Sequence, residues 1–413
     1  MDYQIRLDFN SKPSTVMHID LNSCFASIEQ QANPLLRNKP IAVAAYDTPN
    51  GCILAPSVQA KKLGVKTGMR VKEGKFLCPE LIVLKPDTEK YRNIHRKFKS
   101  LLSFYSPEVT PKSIDEFVLD FSGTPAFRRG LFDVSREIKN RIKAEIGDYL
   151  TVSIGLGPNR FLAKTASNLH KPDGLDEINK ENIDAVYGGL TLTDLTGIDR
   201  QNAIRLNSVG IYTVTDFYHA DLRTIKAAFQ SICGYYWFLR LRGWEIDDVE
   251  WGTKSFGHSY SLPKFLTKAE DLAPILAKLV EKVGFRMRKE GFQARGVHLA
   301  LLFEDHEYFH QGLSLDQPIF SSQDIYRVAY RILRHSPYRL PVRNLAISCF
   351  DLSDRTNLQL GLFDDRQKKD NLVKAIDEIN DRWGNFVITP AIMAGTEEHV
   401  HDRISFGNVR GLI

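Results

Sequence analysis

Asp115 and Glu116 stand side by side at the head of an apolar run, Phe117, Val118, Leu119 and Phe121, that reads as a β-strand. Successive strand residues point to opposite faces, so one site can use both carboxylates only where the backbone bends, at a strand end or in a hairpin. By themselves Ser113 to Glu116 also read as a polar turn, where acidic pairs are common. A second apolar strand, Val16 to Asp20, likewise ends on a carboxylate. Paired side by side, the two strands would gather three acidic groups, which repel one another unless hard divalent cations neutralise them. Two such ions about 3.5–4 Å apart form a clamp for in-line displacement at phosphorus, stabilising the attacking and the leaving oxygen together.

With 413 residues the chain has room for roughly two to four domains. Hydrophobic residues make up 43% and charged residues 25%, an ordinary globular balance, and no apolar run approaches the ~20 residues of a membrane span. Met1 to Thr15 carries mixed charge without a signal-like apolar segment. The five cysteines are scattered without a close pair. These features point to reduced thiols and a cytoplasmic protein, and away from a zinc ribbon or a disulfide framework. Residues 254–352 hold fourteen Lys or Arg against ten Asp or Glu, most of the net charge of +5. A basic domain of this kind suits phosphate contacts, and equally an ordinary solvated face.

In chain order, Val16 to Asp20 reads as the first core strand, Cys24 to Gln31 as the start of a helix, and Pro40 to Ala45 and Gly51 to Pro56 as further strands. Ser57 can cap a short helix that presents Lys61 and Lys62 and that Gly64 ends, a helix start suited to anions. From Thr193 short helices follow, and Leu195, Gly197, Ile198 and Asp199 with Ala203 and Leu206 are similar to a helix-hairpin-helix, whose turn offers backbone N–H groups to a DNA phosphate. Asp199 stands where that motif usually has glycine, and a carboxylate facing a phosphate is unfavourable. Beyond Gly252 the expected order is a strand at Ser255 to Ser261, a helix at Ala269 to Glu290, a strand at Gly296 to Phe303, a helix at Ser321 to His335 and a strand at Val342 to Phe350. His306, Glu307 and His310 spell a zinc-protease pattern, which needs a helix to align both histidines. Here the stretch reads as an acidic turn and a returning strand, over which four residues span about 13 Å, too far for one zinc ion.

Asp20 to Ala26, Ala60 to Val65, Ser113 to Glu116, and Val152 to Gly155 through Lys164 to Lys171–Gly174 follow one another as in Y-family translesion DNA polymerases, and the chain resembles the UmuC and DinB branches over nearly its whole length. The resemblance implies an α+β, multidomain right-hand polymerase: palm at 1–23 and 88–178, fingers at 24–87, helix-hairpin-helix thumb at 179–250, α+β little finger at 254–352, and a clamp-binding peptide with a tail at 353–413. It implies lesion-bypass DNA synthesis within the SOS response to DNA damage, with primer-template DNA, a dNTP and the sliding clamp (β subunit) as partners and no membrane. Two Mg²⁺ ions are the implied cofactors. Carried over by position, Asp20, Asp115 and Glu116 are the metal-binding catalytic carboxylates, and Leu21 lends a backbone carbonyl. Lys61 and Lys171 hold the triphosphate, Lys164 is a basic group near the acidic cluster, and Phe25 is the steric gate against a 2′-hydroxyl. Val58 and Lys61 depart from the tyrosine and arginine of many relatives, removing a hydroxyl and a planar fork from the phosphate site.

Gly197 and Ile198 are the implied DNA contacts of the thumb; Lys254, Arg286, Arg288, Lys289, Arg295 and Arg343 are those of the little finger, positioning the duplex without reading sequence. Gln359, Leu362 and Phe363 resemble the short peptide by which bacterial polymerases grip the clamp. The amphipathic stretch through Leu372, Ile376 and Ile379 has no chemical role in this reading. The competing class is a non-catalytic polymerase-shaped scaffold that binds DNA and clamp, against which the presence of all three carboxylates counts.

Overall fold

The first strand, Val16–Leu21 (β1), is buried at every position, and the helix Cys24–Ala32 (α1) follows it directly. The computed structural model describes residues 7–249, 252–336, 340–355, 366–384 and 386–400. By internal contacts the residues up to Val249 form one unit and Glu250–Asp402 a second.

Within the first unit, Ile41–Ala44 (β2), Ile53–Pro56 (β3) and Ile82–Leu84 (β4) make a small sheet in the order β3-β2-β4. Two short helices, Val58–Lys62 (α2) and Val71–Leu77 (α3), cover it, and Ala60, Val65, Val71 and Leu81 join Ala42, Ala44 and Ile53 in its core. Ser57 caps α2, its hydroxyl accepting from the Ala60 amide at 3.2 Å, and Gly64 follows it at φ 88°.

The helix Thr88–Leu102 (α4) leads to the larger sheet. Its strands Val109–Pro111 (β5), Glu116–Asp120 (β6), Val152–Gly157 (β7) and Leu175–Glu177 (β8) run in the order β5-β6-β1-β7-β8. With β1 at the centre its two faces diverge. Met17, Ile19 and Leu21 enter a core built with α1, α4 and the helix Leu131–Arg141 (α5). Val16, His18 and Asp20 face the other way, where the helix Arg160–Leu169 (α6) covers only part of the sheet through Ala163. Gly155 and Gly157 permit that approach: a Cβ at Gly155 would lie 2.1 Å from the Ala163 carbonyl oxygen and 2.2 Å from the Ser167 nitrogen. With its N-terminus fixed by Asn159, whose side chain accepts from the Leu162 amide at 2.7 Å, α6 carries Lys164 over the uncovered carboxylates.

The helices after β8 pack on the outer side of α6 through Phe161, Leu162 and Ala166. In the expected hairpin, Gly197 takes φ 100° before the helix Arg200–Asn207 (α7). Asp199 is the N-cap of α7, its carboxylate accepting from the Asn202 amide at 2.8 Å. The acid at the usual glycine position is therefore turned onto its own helix.

In the second unit four long strands, Ser255–Leu266 (β9), Phe292–Phe303 (β10), Tyr308–Ile319 (β11) and Val342–Asp354 (β12), pair antiparallel in the order β11-β10-β12-β9. The helices Ala269–Lys289 and Ser322–Arg334 pack on this sheet, and one apolar cluster joins them to it. β9 runs past the expected Ser261 to Leu266, its extra residues falling between the Asn344–Ser261 and Val342–Leu266 pairs with β12. His306 occupies the turn at φ 71° while His310 lies in β11, so the two are not aligned on a helix. A further helix, Arg366–Trp383, is tied down by ion pairs from Asp377 to Arg288 at 2.7 Å and from Asp381 to Lys289 at 3.6 Å. Gln359, Leu362 and Phe363 lie outside the described residues.

Replacing Gly155 with alanine would force α6 off the sheet, at about 1–3 kcal/mol. A thermal melt should fall by about 2–4 °C for each of those kcal/mol; an unchanged Tm would contradict this seating of α6.

Candidate active site

The antiparallel register of β1 and β6 sets Asp20 directly opposite Glu116. The chain bends just before β6. There the Ser113 hydroxyl donates to the Asp115 carboxylate, and the Leu21 amide donates to the Asp115 carbonyl at 2.9 Å. The hairpin thus ties Asp115 to the end of β1 while Glu116 opens the strand. His18 lies two residues before Asp20 on the same face, its Nε2 3.7 Å from Glu116 Oε2. One ligand atom from each of His18, Asp20 and Glu116 falls within 4.8 Å of the others, the one such cluster of metal-capable donors among the described residues.

Two ammonium groups reach into this cluster. Lys171 Nζ lies 2.6 Å from Asp20 Oδ2; Lys164 Nζ bonds to Glu116 and lies 3.8 Å from Asp20 Oδ2 and 3.5 Å from His18 Nε2. The loop carrying Lys171 is pinned. Asn22 Oδ1 accepts from the Asp173 amide at 2.8 Å, Asn22 Nδ2 donates to Ser153 Oγ at 2.9 Å, and Asp173 pairs with Lys139 at 2.9 Å.

Desolvation raises Asp115, with repulsion from Asp20 adding and the Ser113 hydrogen bond opposing. Desolvation also raises Glu116, against the pull of Lys164. Burial, then Lys164 and Lys171, hold His18 well below its usual value, so its imidazole is neutral at pH 7. Lys61 is lowered by desolvation and by Lys171, while Asp20 and Asp115 attract its charge, so this side chain belongs to the same electrostatic site. Cys24, buried behind the carboxylates, is raised by burial and by Asp115 and Asp20, which makes an inert thiol. Hard carboxylate oxygens whose negative charge stays under-compensated even beside two lysines are a donor set that fits a hard divalent cation.

The structure brings Asp20, Leu21, Asp115, Glu116, Lys164 and Lys171 together, while Lys61 is exposed on α2 and makes no ion pair with the described residues. A cavity of about 560 Å³ opens beside His18, Glu116 and Lys164, lined also by Gly197, Lys112, Arg160 and Arg205. Three expected contact residues are buried. Phe25 is 1% exposed and stacks on Tyr91 at 4.4 Å between ring centres, packed into the core from the first turn of α1. Ile198 is also in the core, and its amide donates within the turn to Leu195 at 2.9 Å, leaving no donor there for a phosphate. Arg288 is a correction in the second unit. Its side chain, 4% exposed, is taken up by Asp377, the Phe320 carbonyl and the Ser322 hydroxyl, since a guanidinium in that setting needs every donor satisfied. Lys254 and Arg295 are exposed, and Arg286 is half-buried, donating to the Gly257 carbonyl at 2.6 Å. Sequence reasoning missed His18 and Asn22; strand alternation back from Asp20 would have found His18.

Because the folded-state pKa of Asp115 is raised, its protonated form is the one folding favours, and that stability is lost as pH rises through the folded value. Asp115→Asn should therefore melt higher than the unmodified protein at neutral pH in chelator, with the gap closing as pH falls into the carboxylate range. Added Mg²⁺ should raise the Tm of the unmodified protein more than that of the variant. A variant that melts lower at neutral pH would contradict this electrostatic picture.

Residues 19–168 match the impB/mucB/samB family and residues 253–362 its C-terminal domain. DNA polymerase IV of Pelotomaculum thermopropionicum is 32% identical over 91% of this chain and 94% of its own, and DNA polymerase IV 1 of Bacillus subtilis 30% identical over 96% and 97%. Among solved structures, a Y-family polymerase chimera of Dbh and Dpo4 superposes with a TM-score of 0.72 at 24% identity, covering 81% of this chain and 98% of that one. An insertion ternary complex of Dbh DNA polymerase gives a TM-score of 0.55 at 23% identity with the same coverage. The chain thus has the mixed α+β fold of Y-family polymerases, which comprises palm, fingers, thumb and little-finger domains, and it belongs to the impB/mucB/samB family of Y-family DNA polymerases.

Proposed function

We propose that the chain copies damaged DNA templates at the Asp20–Asp115–Glu116 site, joining deoxynucleotidyl groups from a dNTP to a primer 3′-hydroxyl and releasing pyrophosphate. By family it is a DNA-directed DNA polymerase of the translesion kind, and its family uses divalent metal. The observation that carries the residue assignment is the opposition of Asp20 and Glu116 across β1 and β6, with Asp115 in the adjoining bend and two lysines drawn in.

Asp20, Asp115 and Glu116, with the Leu21 carbonyl, would hold two Mg²⁺ ions. When bound, these supply the positive charge that phosphoryl transfer needs at the attacking and leaving oxygens. Lys171 and Lys61 take the triphosphate, exchanging their attraction to the carboxylates for the phosphate oxygens, and Lys164 orients Glu116 and favours its charged form against burial. Neutral His18 shares Lys164 with Glu116 without adding a positive charge that would repel metal. The exposed Gly197 turn, which lines the same cavity as Glu116, is suited to a primer-strand phosphate, and Lys254, Arg286 and Arg295 to the duplex backbone.

Palm, fingers, thumb and little finger are assigned to the segments expected from sequence. Clamp binding through Gln359, Leu362 and Phe363 rests on sequence alone, as does a cytoplasmic location; among the described residues no helix is long and apolar enough to cross a membrane.

Primer extension tests the reading. The unmodified protein should extend a primer only with a divalent cation, and Asp115→Ala should lower the rate by about 10³-fold or more; a metal-supplied unmodified protein that extends nothing would overturn it. Lys171→Ala should raise KM for dNTP by about tenfold, with a smaller change in kcat, as expected for loss of a ground-state phosphate contact. A paired Leu362→Ala and Phe363→Ala variant should lose clamp-stimulated processivity while keeping clamp-free extension; retained stimulation would remove the clamp assignment.

A further inference from the structure

The outer face of α3 is apolar, basic and uncovered. Val71 and Gly74 face inward, and a Cβ at Gly74 would come within 2.7 Å of the Ile53 side chain, so the rotation of the helix on its sheet is fixed. Lys72, Lys75 and Phe76, at i, i+3 and i+4, then share the outward face. The Phe76 ring is 86% exposed, and beside it Leu77 and Leu63 are 45% and 47% exposed. Leu77 meets the end of α2, its Cδ1 3.7 Å from where a Gly64 Cβ would sit.

From Lys61 to Leu77 the chain carries six basic residues and one acid, Glu73, whose carboxylate accepts from the Arg70 amide at 2.9 Å. Lys62, Lys66, Lys72 and Lys75 are exposed and form no ion pair with the described residues. A fully exposed aromatic ring framed by uncommitted lysines has the composition of a single-strand platform, in which a base stacks on the ring and ammonium groups follow the phosphates. A duplex, its bases already stacked, has no use for the ring. Along the chain the patch follows Lys61, whose charge Asp20 and Asp115 favour: Lys62, Leu63 and Gly64 come next, and Leu77 Cδ1 lies 3.7 Å from where a Gly64 Cβ would sit.

We propose that this face of the fingers carries the unpaired template strand 5′ of the templating position, with a base stacked on Phe76 and its neighbouring phosphates on Lys72, Lys75 and Lys62. The assignment rests on the polymerase reading above, since an unpaired template is the single strand that a polymerase substrate always contains. Its effect is to hold the incoming template aside and in line without reading sequence, because every base has a face to stack.

Fluorescence anisotropy of the full chain on two labelled primer-templates, one with a long 5′ template overhang and one with a single-nucleotide overhang, tests it. The unmodified protein should bind the long overhang more tightly. Phe76→Ala should weaken that complex by about tenfold, the size of one base–aromatic stack, and leave the short-overhang complex and its single-nucleotide extension unchanged. Lys72→Glu with Lys75→Glu should weaken only the long-overhang complex and flatten its salt dependence. Equal loss on both substrates, or loss on neither, overturns the proposal, the second result leaving the patch to a protein ligand. Unmodified protein that extends both substrates but binds them equally sinks this proposal alone. Protein that extends neither removes the polymerase reading and this proposal with it.

Discussion

Negative charge gathered in a partly buried place is the condition to which this molecule answers. Asp20 and Glu116 face each other across two strands and Asp115 sits in the adjoining bend, so burial, with repulsion from Asp20 adding to it, raises Asp115 and Glu116. Lys164 and Lys171 supply partial compensation, but an ammonium is a single charge on a flexible stem, and Asp115 and Glu116 stay above the usual carboxylate range. A divalent ion offers twice the charge at shorter range and accepts several oxygens at once. The site is electrostatically unfinished in its own right, which is the state expected of a protein whose substrate arrives as a polyphosphate with metal.

Much of the surrounding structure positions those compensating charges. Two glycines on β7 let α6 settle close enough for Lys164 to cross the sheet, and Asn22, Ser153 and Asp173 brace the loop of Lys171. The apolar half of β1 anchors this from behind by locking Met17, Ile19 and Leu21 into the core. One strand therefore serves as core on one face and as site on the other, and the alternation of side chains along it keeps the two roles apart.

Formal charge is a weaker guide than its partners. The basic excess of residues 254–352 includes Arg288, which is spent inside the second unit on Asp377 and two oxygen acceptors, whereas Lys72 and Lys75, in a stretch that drew no notice by charge, keep their ammonium groups in solvent. Asp199 makes the same point with the opposite sign: a carboxylate that looked opposed to phosphate binding is spent capping α7. In each case the decisive fact is which donor or acceptor is already taken, and that is a property of the fold.

Sequence alone determined the strands ending on carboxylates, the need for a bend at Asp115, the helix caps at Ser57 and Gly64 and the order of elements after Gly252. All of these follow from local periodicity, turn chemistry and side-chain type, which are written within a few residues. Only the tertiary structure decided that Asp20 pairs in register with Glu116, that His18 and Asn22 belong to the site, and that Phe25, Ile198 and Arg288 are turned inward. Those outcomes depend on contacts between residues far apart in the chain. Whether an aromatic ring or a guanidinium ends in core or in water is set by what packs against it, and no local pattern carries that information.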